Sequence, residues 1–332
     1  MLENLKIAFL IYDSRSGSTL LSRLLNEYKD VYVTAESAFI SRLINSRILN
    51  NDNVSVSKII SFLTKEQHFR ELNLDLLTLN QDLNKLIRLK KLSLRYVILA
   101  ILEQLTENES HKDLIIIKHP LYEHLDEMLY IFPKAHIIHL IRDPRALHNS
   151  KANSINLNGS KFSDNPIKTS LKYRYKTNLL LRFREKNRDA VIDIRYQDLI
   201  SKTEIELSRI IDFCGLTSTK TYSSNYLELI GSSQKSLHEL VGHAPVEGRI
   251  IDWKSKLSIY EIDSISLLTK EIIVDFDFEA VKKKANRLKL LFYMLWKYTL
   301  YVVHALKNNL RNLISNRDLL KSKFRYLKFL TR

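Results

Sequence analysis

Residues 7–21, read Ile-Ala-Phe-Leu-Ile-Tyr-Asp-Ser-Arg-Ser-Gly-Ser-Thr-Leu-Leu, contain the parts of an anion site. Arg15 offers a planar fork of N–H donors, and Ser16, Ser18 and Thr19 offer hydroxyls. Gly17 lets a ligand approach where a Cβ would block it. The apolar run before the turn predicts a buried strand, and Leu20, Leu21, Leu24 and Leu25 predict a helix directly after it. A strand turning into a helix N-terminus aims several backbone N–H groups at one spot, with the positive end of the helix dipole behind them. Such a concavity suits a phosphate or a sulfate. A plain Ser/Gly turn is the alternative. The phosphate loop of nucleotide kinases is a poor match, because Asp13 stands where an early Gly is needed and Gly17 is followed by Ser18 instead of Lys.

A second cluster is Arg142-Asp143-Pro144-Arg145-Ala146-Leu147-His148-Asn149-Ser150. Arg142 at a strand end and Ser150 about two helical turns later can reach one phosphate. A surface salt-bridge cluster is the competing reading. The elements that must position these residues follow from apolar patterning. Short branched runs at 114–120, 135–141 and 190–196 read as buried strands, and 30–37 as a shorter one leading to Glu36. Strands alternating with helices predict an α/β fold, a doubly wound parallel sheet with flanking helices. Ligands of such sheets collect at the carboxyl ends of the strands. Arg15, Lys118, Arg142 and Tyr196 all lie just past such ends. Residues 1–281 are expected to form the main domain, with 38–112 a helical insertion that shapes an acceptor pocket.

Charge is distributed unevenly. The 332 residues carry 52 Lys and Arg against 37 Asp and Glu, a formal net charge of +15. Residues 282–332 hold 14 of those bases and one acid, which leaves 38 bases against 36 acids elsewhere. The basicity therefore belongs to a tail, and no nucleic acid is expected as partner. At 100° per residue, Lys289, Lys297, His304, Lys307 and Arg311 fall in one arc of about 80°. The wide remaining face carries Leu291, Phe292, Leu295, Trp296, Val303 and Leu306, among others. Two readings stand: a helix lying in a membrane interface, or one packed on its own domain or on a dimer partner. The single cysteine, Cys214, forms no intrachain disulfide and reads as a small buried thiol. The first strand follows the N-terminus so closely that no signal peptide is expected, and cytoplasmic residence follows, with peripheral placement at the inner membrane face as an option. No clustered ligand set suggests a metal.

The string Arg-Ser-Gly-Ser-Thr-Leu resembles the 5′-phosphosulfate loop of sulfotransferases that use 3′-phosphoadenosine 5′-phosphosulfate (PAPS), and the Arg142–Ser150 spacing resembles their 3′-phosphate element. The resemblance covers about residues 6–40 and 112–260, is of a bacterial-like kind, and implies the P-loop nucleotide-kinase-like sulfotransferase fold. It further implies that Arg15, Ser16, Gly17, Ser18 and Thr19 hold the 5′-phosphosulfate and that Arg142 and Ser150 hold the 3′-phosphate. Tyr196, in Arg-Tyr-Gln-Asp-Leu, resembles a Tyr that contacts adenine, with Gln197 in place of the usual Glu. Gly242-His243-Ala244-Pro245 through Arg249 resembles a degenerate closing segment, which would add Arg249 to the 3′-phosphate set.

Arg before Ser-Gly resembles the tyrosylprotein and carbohydrate subgroups more than the cytosolic small-molecule enzymes. In the tyrosylprotein group a Glu lies at the separation from the loop that Glu36 has here. The cytosolic group uses a His near the strand end occupied by His119. Glu36 is the favoured base, with His119 as the alternative. The expected reaction is in-line transfer of a sulfuryl group to a hydroxyl or amine of a carbohydrate, glycolipid or peptide. Lys118 and Arg15 are the cations beside the leaving oxygen, and adenosine 3′,5′-bisphosphate is released. Two other classes compete: a nucleotide kinase or NTPase, and a non-catalytic membrane or nucleic-acid adaptor that kept the fold.

Overall fold

Each apolar run forms a strand. In the computed structural model these are β1 (Lys6–Tyr12), β2 (Val31–Val33), β3 (Leu114–His119), β4 (His136–Ile141) and β5 (Val191–Arg195). The structure describes residues 5–50, 54–106, 112–155, 159, 161–217, 219–220 and 248–315, with side chains as far as 307. The strands form one parallel sheet in the order β2-β3-β1-β4-β5. β1 is the centre, as its nearly complete burial requires.

Register decides which side chains meet. Leu10 lies opposite Lys118 and Ile11 opposite His119. Successive residues of a strand point to opposite faces, so Ala8, Leu10 and Tyr12 share a face with Ile116 and Lys118. Leu21, Leu24 and Leu25 of α1 (Ser18–Leu25) pack on that face, together with Leu207 and Ile210 further along the chain. On the other face Phe9 meets Phe132, with ring centroids 6.2 Å apart. Both faces are covered, and the doubly wound expectation holds.

Between β2 and β3 lie the helices α2 (Phe39–Ser46), α3 (Val56–Leu63), α4 (Gln67–Arg70), α5 (Leu76–Arg88) and α6 (Leu94–Thr106). The apolar periodicity from Leu72 to Leu105 is split between α5 and α6. Lys90 takes a left-handed φ of 54°. Its N–H donates to Ile87 O at 2.9 Å, and the Lys91 N–H reaches Leu86 O at 2.9 Å. This is a Schellman ending with Lys where Gly is usual, so the sequence carries no stop signal there. The remaining helices are α7 (Leu125–Ile131), α8 (Pro144–Ala152), α9 (Pro166–Lys186), α10 (Tyr196–Ser201), α11 (Thr203–Phe213), α12 (Gly248–Ile251), α13 (Trp253–Lys256), α14 (Ile259–Leu268), α15 (Lys270–Asp275) and α16 (Arg287–Ser315). α11 makes the same ending with Gly215, φ 67°, at the left-handed position.

The described residues divide into two compact units, one drawn from within 1–141 and 182–220, the other from within 142–181 and 248–315. The sheet belongs to the first. The second unit is built around Trp253, Leu257, Ile262, Ile265 and Ala146. Arg145 is fully buried there, with its guanidinium 4.2 Å from the Trp253 ring centre. It donates twice to Asp143, at 2.9 and 2.6 Å, and once to Glu279 O at 2.7 Å. In α14 a capping box joins Ser258 to Glu261, and His148 of α8 lies 3.9 Å from the same carboxylate. His148, together with the Ser258 N–H and hydroxyl, holds the Glu261 carboxyl far below its ordinary 4.5, at about 2. A depressed carboxyl stabilises the fold above its unfolded pKa and stops doing so as pH falls through the folded one. Urea midpoints measured from pH 5 to pH 2 should therefore fall across that window. In Glu261→Gln, which keeps the capping geometry, the fall should be shallower.

Candidate active site

The turn after β1 is made by two left-handed residues. The Asp13 carbonyl accepts from Ser16 N–H at 3.1 Å, and its carboxylate accepts from Ser14 N–H at 3.0 Å. Arg15 sits at φ 70° and Gly17 at φ 99°. The left-handed state costs a non-glycine residue roughly 1 kcal/mol or more, so the turn holds Arg15 against its own preference. Gly17 caps α1 without a side chain, and the first-turn N–H groups gain no capping oxygen from it. Ser16, Ser18 and Thr19 are buried and Arg15 is half-buried. The Ser16 hydroxyl is enclosed and has no hydrogen-bond partner among the described residues.

Lys118 is also buried, and its ammonium lies 3.5 Å from the Thr19 hydroxyl and 5.8 Å from the Tyr12 ring centre. Burial pulls its pKa down, and the nearby Glu36 carboxylate pushes it back up. Glu36 itself accepts a hydrogen bond from the Tyr12 hydroxyl. The backbone keeps this segment in place. Lys118 N–H donates to the Thr34 hydroxyl at 3.0 Å, Thr34 N–H to Ile116 O at 2.9 Å, and Ser37 N–H to Lys118 O at 3.4 Å. Arg15's turn, Thr19, Lys118, Glu36 and Tyr12 thus belong to one neighbourhood of the first unit.

His119 lies elsewhere. The pleat sends it to the opposite face from Lys118, where its Nε2 lies 2.9 Å from the Ser41 hydroxyl of α2. It is wholly buried, and burial pushes its pKa down to about 4. It is therefore neutral at physiological pH. Tyr12 and Ser41 did not stand out in the sequence; Tyr12 is embedded in an apolar run and reads there as core.

In the second unit, Arg142 is the residue after β4, and the Tyr173 hydroxyl of α9 brackets its peptide, accepting from Arg142 N–H at 3.1 Å and donating to Arg142 O at 2.8 Å. The Arg142 guanidinium donates to the carbonyl of Arg249 at 2.9 Å. Those two residues are brought together, but through the Arg249 backbone; its side chain is exposed. Ser150 is half-buried in the last turn of α8. Tyr173 had no distinguishing signal, being one of two tyrosines on a long polar helix. Gly242, His243, Ala244 and Pro245 lie outside the described residues.

Tyr196 opens α10 with its ring pressed on Gly17. A Cβ added to Gly17 would lie 2.4 Å from two of the Tyr196 ring carbons. Gly17→Ala should therefore displace Tyr196 and strain the turn, costing about 1–3 kcal/mol. Combining it with Tyr196→Ala should recover the steric part but not the conformational part. Urea denaturation of the two single variants and the double variant measures this, and purely additive losses would show that the contact is absent.

The profile of the Sulfotransferase family matches residues 9–220. Among solved structures, the chain is similar to the sulfotransferase domain from the Synechococcus PCC 7002 olefin synthase. That match has 20% identity and a TM-score of 0.56, and covers 84% of this chain and 97% of that one. It is also similar to the sulfotransferase domain from the curacin biosynthetic pathway, at 18% identity and a TM-score of 0.51, covering 83% and 99%. These two likenesses are of fold. No curated protein sequence matches the chain. The profile match runs from β1 past α11, taking in the Arg15 turn, Glu36, Lys118, the Arg142–Ser150 segment and Tyr196, so the chain belongs to the sulfotransferase family.

Proposed function

We propose that this chain moves a sulfuryl group from PAPS to a hydroxyl or amine acceptor, a carbohydrate, glycolipid or peptide. The observation that carries this reading is the buried Lys118 ammonium beside the Thr19 hydroxyl, with no carboxylate within ion-pair distance among the described residues. A desolvated cation without a counterion favours an incoming anion. The unpartnered Ser16 hydroxyl and the head of α1, uncapped by any side chain, fit the same ligand chemistry. When bound, PAPS would supply the sulfuryl group and leave as adenosine 3′,5′-bisphosphate.

The roles of this chain's residues follow from that assignment. Arg15, Ser16, Gly17, Ser18 and Thr19 hold the 5′ end, while Arg142, Ser150 and Arg249 hold the 3′-phosphate and Tyr196 meets the base. Lys118 and Arg15 offset negative charge that grows on the leaving oxygen in an in-line transfer, the electrostatic contribution that dominates such reactions. Glu36 takes the acceptor's proton. Tyr12 orients the Glu36 carboxylate by its hydroxyl and so positions the base without touching the reacting atoms. His119, on the other face and bonded to Ser41, plays no part in proton transfer.

Calorimetry should show binding of adenosine 3′,5′-bisphosphate and little of ATP; the reverse preference would assign a kinase or NTPase. Incubation of cell extracts with PAPS, read by an 80-dalton gain in mass spectrometry, should find the acceptor. Binding of the bisphosphate with no turnover on any acceptor would leave an adaptor. Lys118→Ala and Arg15→Ala should each lower kcat by about 10²–10³ with an unchanged circular dichroism spectrum, and PAPS-dependent turnover retained in both rules the site out. Glu36→Gln should cost about 10²–10⁴ in kcat. Tyr12→Phe should cost roughly tenfold in kcat, leave the KM for PAPS unchanged and displace the acidic limb of the pH–rate profile. An unmoved acidic limb would remove Tyr12 from its positioning role.

A further inference from the structure

Among the described residues, α16 is docked mainly along one side. Counting 100° per residue from Lys289, Leu290, Tyr293, Met294, Lys297, Tyr301 and Ala305, all partly covered, occupy an arc from about 40° to 160°, and Val302 at about 220° is partly covered too. On that side Tyr293 stacks on Tyr260 of α14, with ring centroids 5.8 Å apart, and Asn165 donates to Lys297 O at 2.8 Å. The opposite arc, about 200° to 340°, carries Leu291, Phe292, Leu295, Trp296, Val303 and Leu306. All six are more than half exposed; Phe292 stands at 64% and Trp296 at 57%. Isolated exposed apolar residues are ordinary, but a continuous row along several turns of one helix marks an interaction surface.

Charge identifies the occupant. Lys289 and Lys307 project, exposed, along the edge of the apolar arc; Lys282, Lys283 and Lys284 precede the helix and Arg287 opens it, all exposed. No acidic residue occurs between Glu279 and Asp318. A second copy seated on this face would bring the same cations against one another in either orientation. An anionic surface would neutralise them. No helix among the described residues is long and apolar enough to cross a membrane, and a one-sided apolar arc with a cationic margin is the pattern of a helix lying in the interface plane. We propose that the outward face of α16 binds the surface of an anionic lipid bilayer, with Leu291, Phe292, Leu295 and Trp296 among the acyl chains and Lys289 and Lys307 at the headgroups. This does not rest on the sulfotransfer reading.

The test uses the full chain with vesicles of phosphatidylcholine alone and of phosphatidylcholine with phosphatidylglycerol. The protein should sediment with the anionic vesicles and much less with the neutral ones. The chain has two tryptophans, and Trp253 is only 3% exposed. The difference between wild-type and Trp296→Phe emission therefore isolates Trp296, which should shift to the blue on vesicle addition. Phe292→Glu with Trp296→Glu, both at exposed positions, should lower partitioning at least about tenfold. Lys289→Ala with Lys307→Ala should lower it by about tenfold in a salt-dependent manner. Leu77→Glu, an equally exposed position in the insertion, should leave it unchanged. Absence of sedimentation with anionic vesicles overturns the proposal, as does binding that survives the double Glu variant, which would point to a polyanion held by charge alone. A concentration-dependent dimer abolished by that variant, in a protein that ignores vesicles, assigns the face to a second copy. Trp296 emission already blue without lipid and unmoved by it assigns the face to another segment of the chain.

Discussion

A single ammonium kept from water sets the terms for the first unit. Lys118, next to last in β3, lies under the α1 side of the sheet, where hydration is lost and a hydroxyl, an aromatic face and a more distant carboxylate replace it. Transfer of such a charge out of water costs several kcal/mol even after relaxation. Glu36 recovers part of that cost by proximity, and the Thr34–Ser37 segment that carries it is stitched to the peptide of Lys118 itself. The cation and the candidate base are therefore held at a separation the backbone defines.

The turn after β1 is held in a conformation that its surroundings maintain. Arg15 and Gly17 both occupy left-handed backbone, and the Tyr196 ring lies against Gly17. Tyr196 belongs to the helix that follows β5, so the far end of the sheet helps shape the loop after its central strand. Strain of this kind persists where packing over-determines it, and it is concentrated at binding sites.

Within the second unit the arginines of one short stretch divide their work. Arg145 has the more buried side chain, yet it is committed to Asp143, Trp253 and the Glu279 carbonyl and holds the start of α8. Arg142, three residues earlier, has its backbone fixed by Tyr173 and its guanidinium steadied by the Arg249 carbonyl. Arg145 holds the start of α8, while Arg142 is steadied at the end of β4. The same unit anchors α16 by Tyr260 and Asn165 while leaving the helix's most apolar arc outward. That arrangement is costly in water and reasonable against a bilayer.

Local patterning was enough for the strands, their order of appearance, the turn ahead of α1 and the family itself, because each is written in contiguous residues: an apolar run, a Gly in a left-handed turn, a short Arg-Ser-Gly-Ser-Thr string. The glycine at the left-handed end of α11 is a local signal of the same kind, whereas the stop at Lys90 carries none, since a lysine at a left-handed cap looks like any surface lysine. What the tertiary structure alone decided was relational. Lys118 and His119 are neighbours in the chain, but the pleat and the register with β1 put them on opposite faces, and this separated the candidate site's cation from a histidine bound to Ser41. Tyr12 looked like core until β2 brought Glu36 to its hydroxyl, and the Arg249 carbonyl found Arg142 across more than a hundred residues. Periodicity along a helix likewise reveals how many apolar faces α16 has; only packing determines which of them remains uncovered.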